Sequence, residues 1–252
     1  MPLIEIIGLA VVAALAGAIN AVAGGGTLLT FPALLFFGTA PIVANATSTL
    51  ALVAGTAGSI FGFRRHIRAI WVWLVRFAAV SAAGGWLGSL LLTRTSDRAF
   101  ERIVTFLILF ATVLFLAQGA FRRFAGDSSV HRRSVWIAVV FQFGVSVYGG
   151  YFGAGIGILM LASLGFLGLT DIHEMNALKN VLGSLINLVA AAWFVASGLI
   201  DWPKAGVMTV GALAGYFTGA HYSQRIPQAA TRRLITVIGF TISAVMFYRQ
   251  FR

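Results

Sequence analysis

Of the 252 residues, 59% are hydrophobic and only 10% charged, with a mean hydropathy of +0.92. A soluble domain carries about 25% charged residues, so this composition argues against a soluble enzyme or binding module and for a single integral membrane domain over residues 1–252. The net charge of +11 comes from 18 Lys and Arg against 7 Asp and Glu.

The basic residues lie in short clusters between apolar spans, such as "RRHIR" and "RRFAGDSSVHRR". That is the pattern of charged loops beside a membrane; without aromatic interleaving or a long basic arm, no nucleic-acid partner is expected. The absence of cysteine removes disulfides, thiolate catalysis and thiolate metal sites. His66, His131, His173 and His221 are scattered without ligand spacing, so neither metal nor cofactor is expected. There is no H-E-x-x-H, G-x-S-x-G or nucleotide-binding loop, which leaves no catalytic residues to name and no enzyme to propose.

The elements are expected to be helices throughout. In chain order, apolar stretches run from Leu3 to Val22, Leu28 to Phe37, Ile42 to Phe63, Ala69 to Thr93 and Ile103 to Ala120. They continue from Val135 to Tyr151, Ile156 to Leu169, Ala177 to Leu199, Ala205 to Tyr222 and Leu234 to Tyr248. About 20 apolar residues cross a bilayer, so the stretches beginning at Leu28 and Ile156 are too short and read as half-helices or re-entrant segments. The opening stretch imitates a signal peptide, but Glu5 and the lack of a basic leader favour a first membrane segment. About eight transmembrane helices result, with two glycine-broken segments.

Both short stretches follow glycine clusters and occupy matching places. A shift of 131 residues pairs Gly24 with Gly155, Gly26 with Gly157, Asn45 with Asn176, Trp71 with Trp202, Gly88 with Gly219 and Arg102 with Arg233. The expected architecture is therefore two structural repeats, about residues 1–122 and 132–252. The basic-residue count suits parallel and inverted halves equally; the general habit of duplicated transporters favours inverted ones.

The helix after each short segment carries a polar stripe. Asn176, Asn180, Gly183 and Asn187 recur at intervals of 4, 3 and 4, which puts them on one face with Lys179 beside it. In the first half Asn45, Ser48, Thr49 and Thr56 take the corresponding places. Acidic residues are absent from both stripes, so a lining of hydroxyls, amides and one lysine suits an anion. The clusters Gly24, Gly25, Gly26 with Thr27, and Gly153, Gly155, Gly157, would break the helices to expose backbone N–H donors. Two plainer readings stay open: polar side chains can simply bond neighbouring helices, and Lys179 can snorkel to the interface. Gly84 to Gly88 and Gly211, Gly215, Gly219 read as small-residue packing faces, which also make a homo-oligomer plausible.

The sequence "AGGGTLLTFPALL", then "ANATSTLA", a second cluster "GGYFGAGIGILML" and a later "GLIDW" resembles the sulfite exporter TauE/SafE family over nearly the whole chain. The resemblance implies a small duplicated permease of the bacterial inner membrane, multi-pass, that moves sulfite, a sulfonate or another small sulfur-containing anion. It carries over Gly24, Gly25, Gly26, Thr27, Pro32, Asn45, Thr47 and Ser48 as core residues. The second half departs from the pattern, with no proline after "GAGIGILMLAS" and a lysine in "NALKN" where the first half has a hydroxyl. The expected function is a secondary transporter, with an anion channel or a flux-free membrane scaffold as alternatives.

Overall fold

A computed structural model describes the backbone of residues 1–22, 25–63, 67–125, 135–165, 172–222 and 228–250. Among these, every regular element is a helix: α1 Leu3–Val22, α2 Thr27–Phe36, α3 Pro41–Phe63, α4 Ile67–Thr93, α5 Asp97–Ala125, α6 Val135–Tyr151, α7 Ile156–Gly165, α8 Ile172–Ala196, α9 Trp202–Tyr222 and α10 Gln228–Gln250. Among the described residues, four stretches, Leu3–Ala21, Ile70–Thr93, Asp97–Ala117 and Ala177–Ala196, are long and apolar enough to cross a membrane. The short segment α2 is ten residues, one residue off the expected Leu28 to Phe37; α7 starts at Ile156 as expected and is described to Gly165, the remainder of the expected stretch to Leu169 lying outside the described residues.

The outward faces are those of a protein solvated by lipid. On α1, Ile4, Ile7, Val11 and Leu15 recur at helical spacing and all are exposed; Ile4 is 77% exposed and Phe217 on α9 is 82%. A water-facing helix would carry charges at such positions. Buried aromatic rings fill the interior instead, with Phe31 set edge-on to Phe100 at 6.2 Å and to Phe152 at 5.7 Å between ring centroids.

Small residues decide which helices touch. A side-chain carbon on Gly211, Gly215 or Gly219 of α9 would collide with the backbone of Ala10, Ala14 or Ala18 on α1. The rising order on both helices means that α1 and α9 run side by side in the same direction. Gly84 and Gly88 of α4 meet Ser146 and Val147 of α6 in the same parallel sense. These glycine faces are filled by helices of the same chain, so a second copy would have to use a different surface. Gly215→Ala is therefore expected to open the α1–α9 seam, and overpacking of this kind costs about 1–3 kcal/mol. Gly206→Ala, with nothing within 4 Å of the added carbon, is the control. Thermal unfolding of the two variants in detergent, compared with wild type, checks this.

One end of the bundle gathers several termini. The Lys204 ammonium at the start of α9 donates to the carbonyl of Phe37 and the hydroxyl of Thr39, each at 3.0 Å, and pairs with Glu5 of α1 at 2.8 Å. The amide of Ile42 donates to Asp97 at 3.3 Å, and Trp193 donates to Thr93 at 3.3 Å. These contacts place the starts of α1, α3, α5 and α9 and the ends of α4 and α8 at this end. Phe106 against Phe247 and Gly239 against Thr112 set α10 antiparallel to α5. Consequently α1, α3, α4 and α5 each run opposite to the helix found 131 residues later, α6, α8, α9 and α10.

Candidate functional site

The two helix breaks are built differently. In the first half Gly25 adopts φ +92°, a left-handed conformation that favours glycine. The Gly26 amide donates to the Asn20 side-chain oxygen at 3.2 Å, and the Asn20 amide group in turn donates to the Tyr216 hydroxyl. Leu28 and Leu29 donate to Gly25 and Gly26 at 3.0 Å each, and Thr30 reaches back to the Gly26 carbonyl at 3.2 Å. The N-terminus of α2 is thus largely capped by its own chain.

In the second half Gly153 and Gly155 both adopt positive φ, +80° and +75°. Phe152 and Gly153 donate to the Tyr148 carbonyl at 2.9 and 3.2 Å, and the Tyr148 hydroxyl donates to the Ala154 carbonyl at 2.6 Å. Those bonds fix the turn. At the start of α7, Ile156 donates to Gly153 at 3.3 Å and Ile158 to Gly155 at 3.0 Å. Among the described residues, nothing accepts from the amides of Gly155 and Gly157. The residue equivalent to Asn20 at the 131-residue shift is Tyr151, which has no carboxamide oxygen to offer.

Lys179 reaches this uncapped terminus. Its aliphatic stem crosses Gly157, with Cδ 3.4 Å and Cε 3.9 Å from where a side-chain carbon would stand. Glycine at that position leaves room for the stem to pass. Lys179 lies seven residues into α8, with its stem against Gly157 near the start of α7. Farther along the same stripe, the Asn187 oxygen lies 3.7 Å from the corresponding point on Gly153. Gly183 between them faces Met160, whose sulfur would stand 3.8 Å from a side-chain carbon there. A lysine stem, two amides without an acceptor among the described residues and the positive end of a helix dipole therefore meet at the start of α7, a combination that suits negative charge.

The remaining residues of the sequence-based set fall into separate groups. Ser48 shares a 2.5 Å hydrogen bond with Thr30, joining α3 to α2, and Thr47 accepts from the Asp201 amide at 3.1 Å, capping α9. Thr49 donates back to the Asn45 carbonyl at 2.9 Å, and the Asn45 amide donates to the Tyr151 carbonyl at 3.0 Å. Thr56 and Ser184 mark where α3 crosses α8, the Ser184 hydroxyl donating to the Thr56 carbonyl at 3.5 Å. Thr27 is half-buried at the start of α2, and Asn180 is half-buried on α8. Gly24 and the side chain of Asn176 lie outside the described residues. Sequence reading did not find the Asn20 and Tyr216 pair, although an amide just before a glycine break inside an apolar helix was the available signal.

Comparison with known proteins agrees with this architecture. The family described as Sulfite exporter TauE/SafE matches residues 9–246. A "Probable membrane transporter protein" of Haemophilus influenzae is 31% identical over 243 residues, covering 92% of this chain and 90% of the relative. "Probable membrane transporter protein YfcA" of Escherichia coli K12 is 28% identical over 238 residues, covering 93% and 85%. "Probable membrane transporter protein ORF9" of Sinorhizobium is 26% identical over 237 residues, covering 92% and 88%. No solved structure matches the chain significantly. A glycine-broken helical membrane chain that matches one family along almost its entire length has its lineage settled: it belongs to the sulfite exporter TauE/SafE family.

Proposed function

We propose that this chain is a secondary transporter that carries a small sulfur-containing anion, such as sulfite or an organosulfonate, across the bacterial inner membrane. The observation that carries the reading is the Lys179 stem lying across Gly157 at the start of α7, where two amides have no acceptor among the described residues. An anion leaving water needs replacement donors, and an ammonium with preset backbone amides supplies them without reorganisation. Asn187 and Asn180 complete the lining from the same face of α8.

Opposed directions of equivalent helices support an inverted repeat, with about eight crossings once α2 and α7 are read as half-helices. The seams themselves are exchanged by the 131-residue shift: α1 packs on α9 as α6 packs on α4, and α5 meets α10. Gly55 of α3 receives the Tyr216 ring of α9, while at the equivalent seam Gly85 of α4 receives Ile186 of α8. Such a pairing lets two halves rock about the α3–α8 crossing and expose one central site to either side in turn.

Flux of labelled sulfite, sulfoacetate and taurine into proteoliposomes tests the substrate class. Saturable flux of at least one of them, competed by the unlabelled anion, is the expected result. Flux that rises linearly with concentration would favour a channel, and no flux of any would remove the sulfur-anion reading.

A further inference from the structure

The carboxamide oxygen of Asn45 has no place in the anion site. Asn45 is 1% exposed, and its oxygen is one of two buried side-chain polar atoms without a hydrogen-bond partner among the described residues. Its orientation is fixed, because the amide nitrogen must face the Tyr151 carbonyl to which it donates at 3.0 Å. The orphan is therefore an acceptor, held against the last turn of α6.

That last turn adds further acceptors. In a continuing helix, the carbonyls of Gly149 and Gly150 would receive the amides of Gly153 and Ala154. Here the Gly153 amide goes to Tyr148 at 3.2 Å, and the Ala154 amide makes no hydrogen bond among the described residues. The break thus leaves the Gly149 and Gly150 carbonyls without those amides at the negative end of the α6 dipole, in the same turn as the Tyr151 carbonyl that Asn45 engages.

We propose that this junction of α6, α7 and α3 binds an alkali cation through the Asn45 oxygen and the terminal carbonyls of α6. Neutral oxygens in this number suit a hard monovalent ion; a divalent ion would call for carboxylates. No group of three or more His, Asp or Glu that could hold a metal occurs among the described residues. Lys204, at this end of the bundle, is paired with Glu5 at 2.8 Å. The chain reverses within four residues, so the end of α6 offers carbonyls and the start of α7 offers amides. A cation and an anion then bind on opposite sides of one break.

Resting on the transporter reading above, the consequence is coupling: one alkali cation accompanying one monovalent anion moves no net charge and draws on the cation gradient. Binding itself is tested without any anion. Thermal unfolding of the full chain in detergent is measured in NaCl, KCl and choline chloride at one ionic strength, together with equilibrium binding of radioactive Na+. A midpoint raised by several degrees in Na+ or K+ relative to choline, and lost in Asn45→Leu, is expected. Asn45→Asp keeps an oxygen at the position and should retain the shift. Equal midpoints in all three salts would overturn the proposal, leaving a buried water as the partner of Asn45. So would a cation shift that persists unchanged in Asn45→Leu. If Asn45→Leu does not fold, the wild-type comparison and Na+ binding decide alone. Cation binding without sulfur-anion flux would retain this site and remove only the substrate class.

Discussion

Lys204→Ala is expected to lower the stability of the chain by about 3–5 kcal/mol, the range seen when one partner of a buried ion pair is removed. The side chains of Lys204 and Glu5 are only 12% and 11% exposed, so the substitution would leave a carboxylate poorly hydrated at the start of α1. It would also strip the Phe37 carbonyl and the Thr39 hydroxyl of their shared donor, loosening the turn between α2 and α3. A paired replacement, Glu5→Gln with Lys204→Met, should recover much of the loss, because it removes both charges. Chemical or thermal unfolding in detergent separates these outcomes. A Lys204→Ala protein as stable as wild type would show that the cluster is fully hydrated and structurally idle. The 131-residue shift matches Glu5, Asp201 and Lys204 with Trp136, Ile70 and Trp73, so this charged hub belongs to one end of the molecule alone.

The second large effect concerns transport. Lys179→Ala should lower anion flux about 10- to 100-fold, since hydrogen bonds to a charged group are each worth about 1.5–3 kcal/mol. The removed stem lies along Gly157 in ordinary van der Waals contact, and unfolding of the same variant separates any loss of stability from the loss of flux. Lys179→Arg keeps the charge but widens the head group, so it should retain part of the flux and shift preference between anions. By contrast Ser48→Ala, at the equivalent place in the first half, loses a bond to Thr30 between α2 and α3. Its expected effect is on stability, about 1 kcal/mol, with flux per folded molecule preserved. Measuring flux and unfolding on the same preparations distinguishes the two kinds of change.

This asymmetry marks the boundary of what the sequence made legible. The helices were readable because apolar runs bounded by glycine, proline and basic residues leave little choice in a bilayer, and both short segments start within a residue of where the glycine clusters put them. The polar stripe of α8 was readable because its 4, 3, 4 spacing is the helical period itself. Partners across the fold were not. Asn20 and Tyr216 are 196 residues apart, and nothing local announces that one closes the amide of Gly26 with the help of the other. Nor does sequence show that Thr47 is engaged with the α9 terminus and Ser48 with Thr30, while the Lys179 stem lies against Gly157. Matching residues at equivalent places in two halves made the breaks look alike. Only their hydrogen bonds tell the capped terminus from the open one.

The absence of cysteine from the chain allows a direct probe of that open terminus. Gly183 lies on the stripe between Lys179 and Asn187, and among the described residues a side-chain carbon there would meet only the Met160 sulfur at 3.8 Å. A Gly183→Cys protein should therefore fold and carry a single thiol beside the proposed anion site. Its rate of modification by a sulfonate-bearing thiol reagent, with and without sulfite or an organosulfonate, is the deciding measurement. Labelling that is slowed by the transported anion, and no longer slowed after Lys179→Ala is added, is the result predicted here. Labelling at the same rate with and without an anion that the protein transports would contradict it and place the binding site elsewhere.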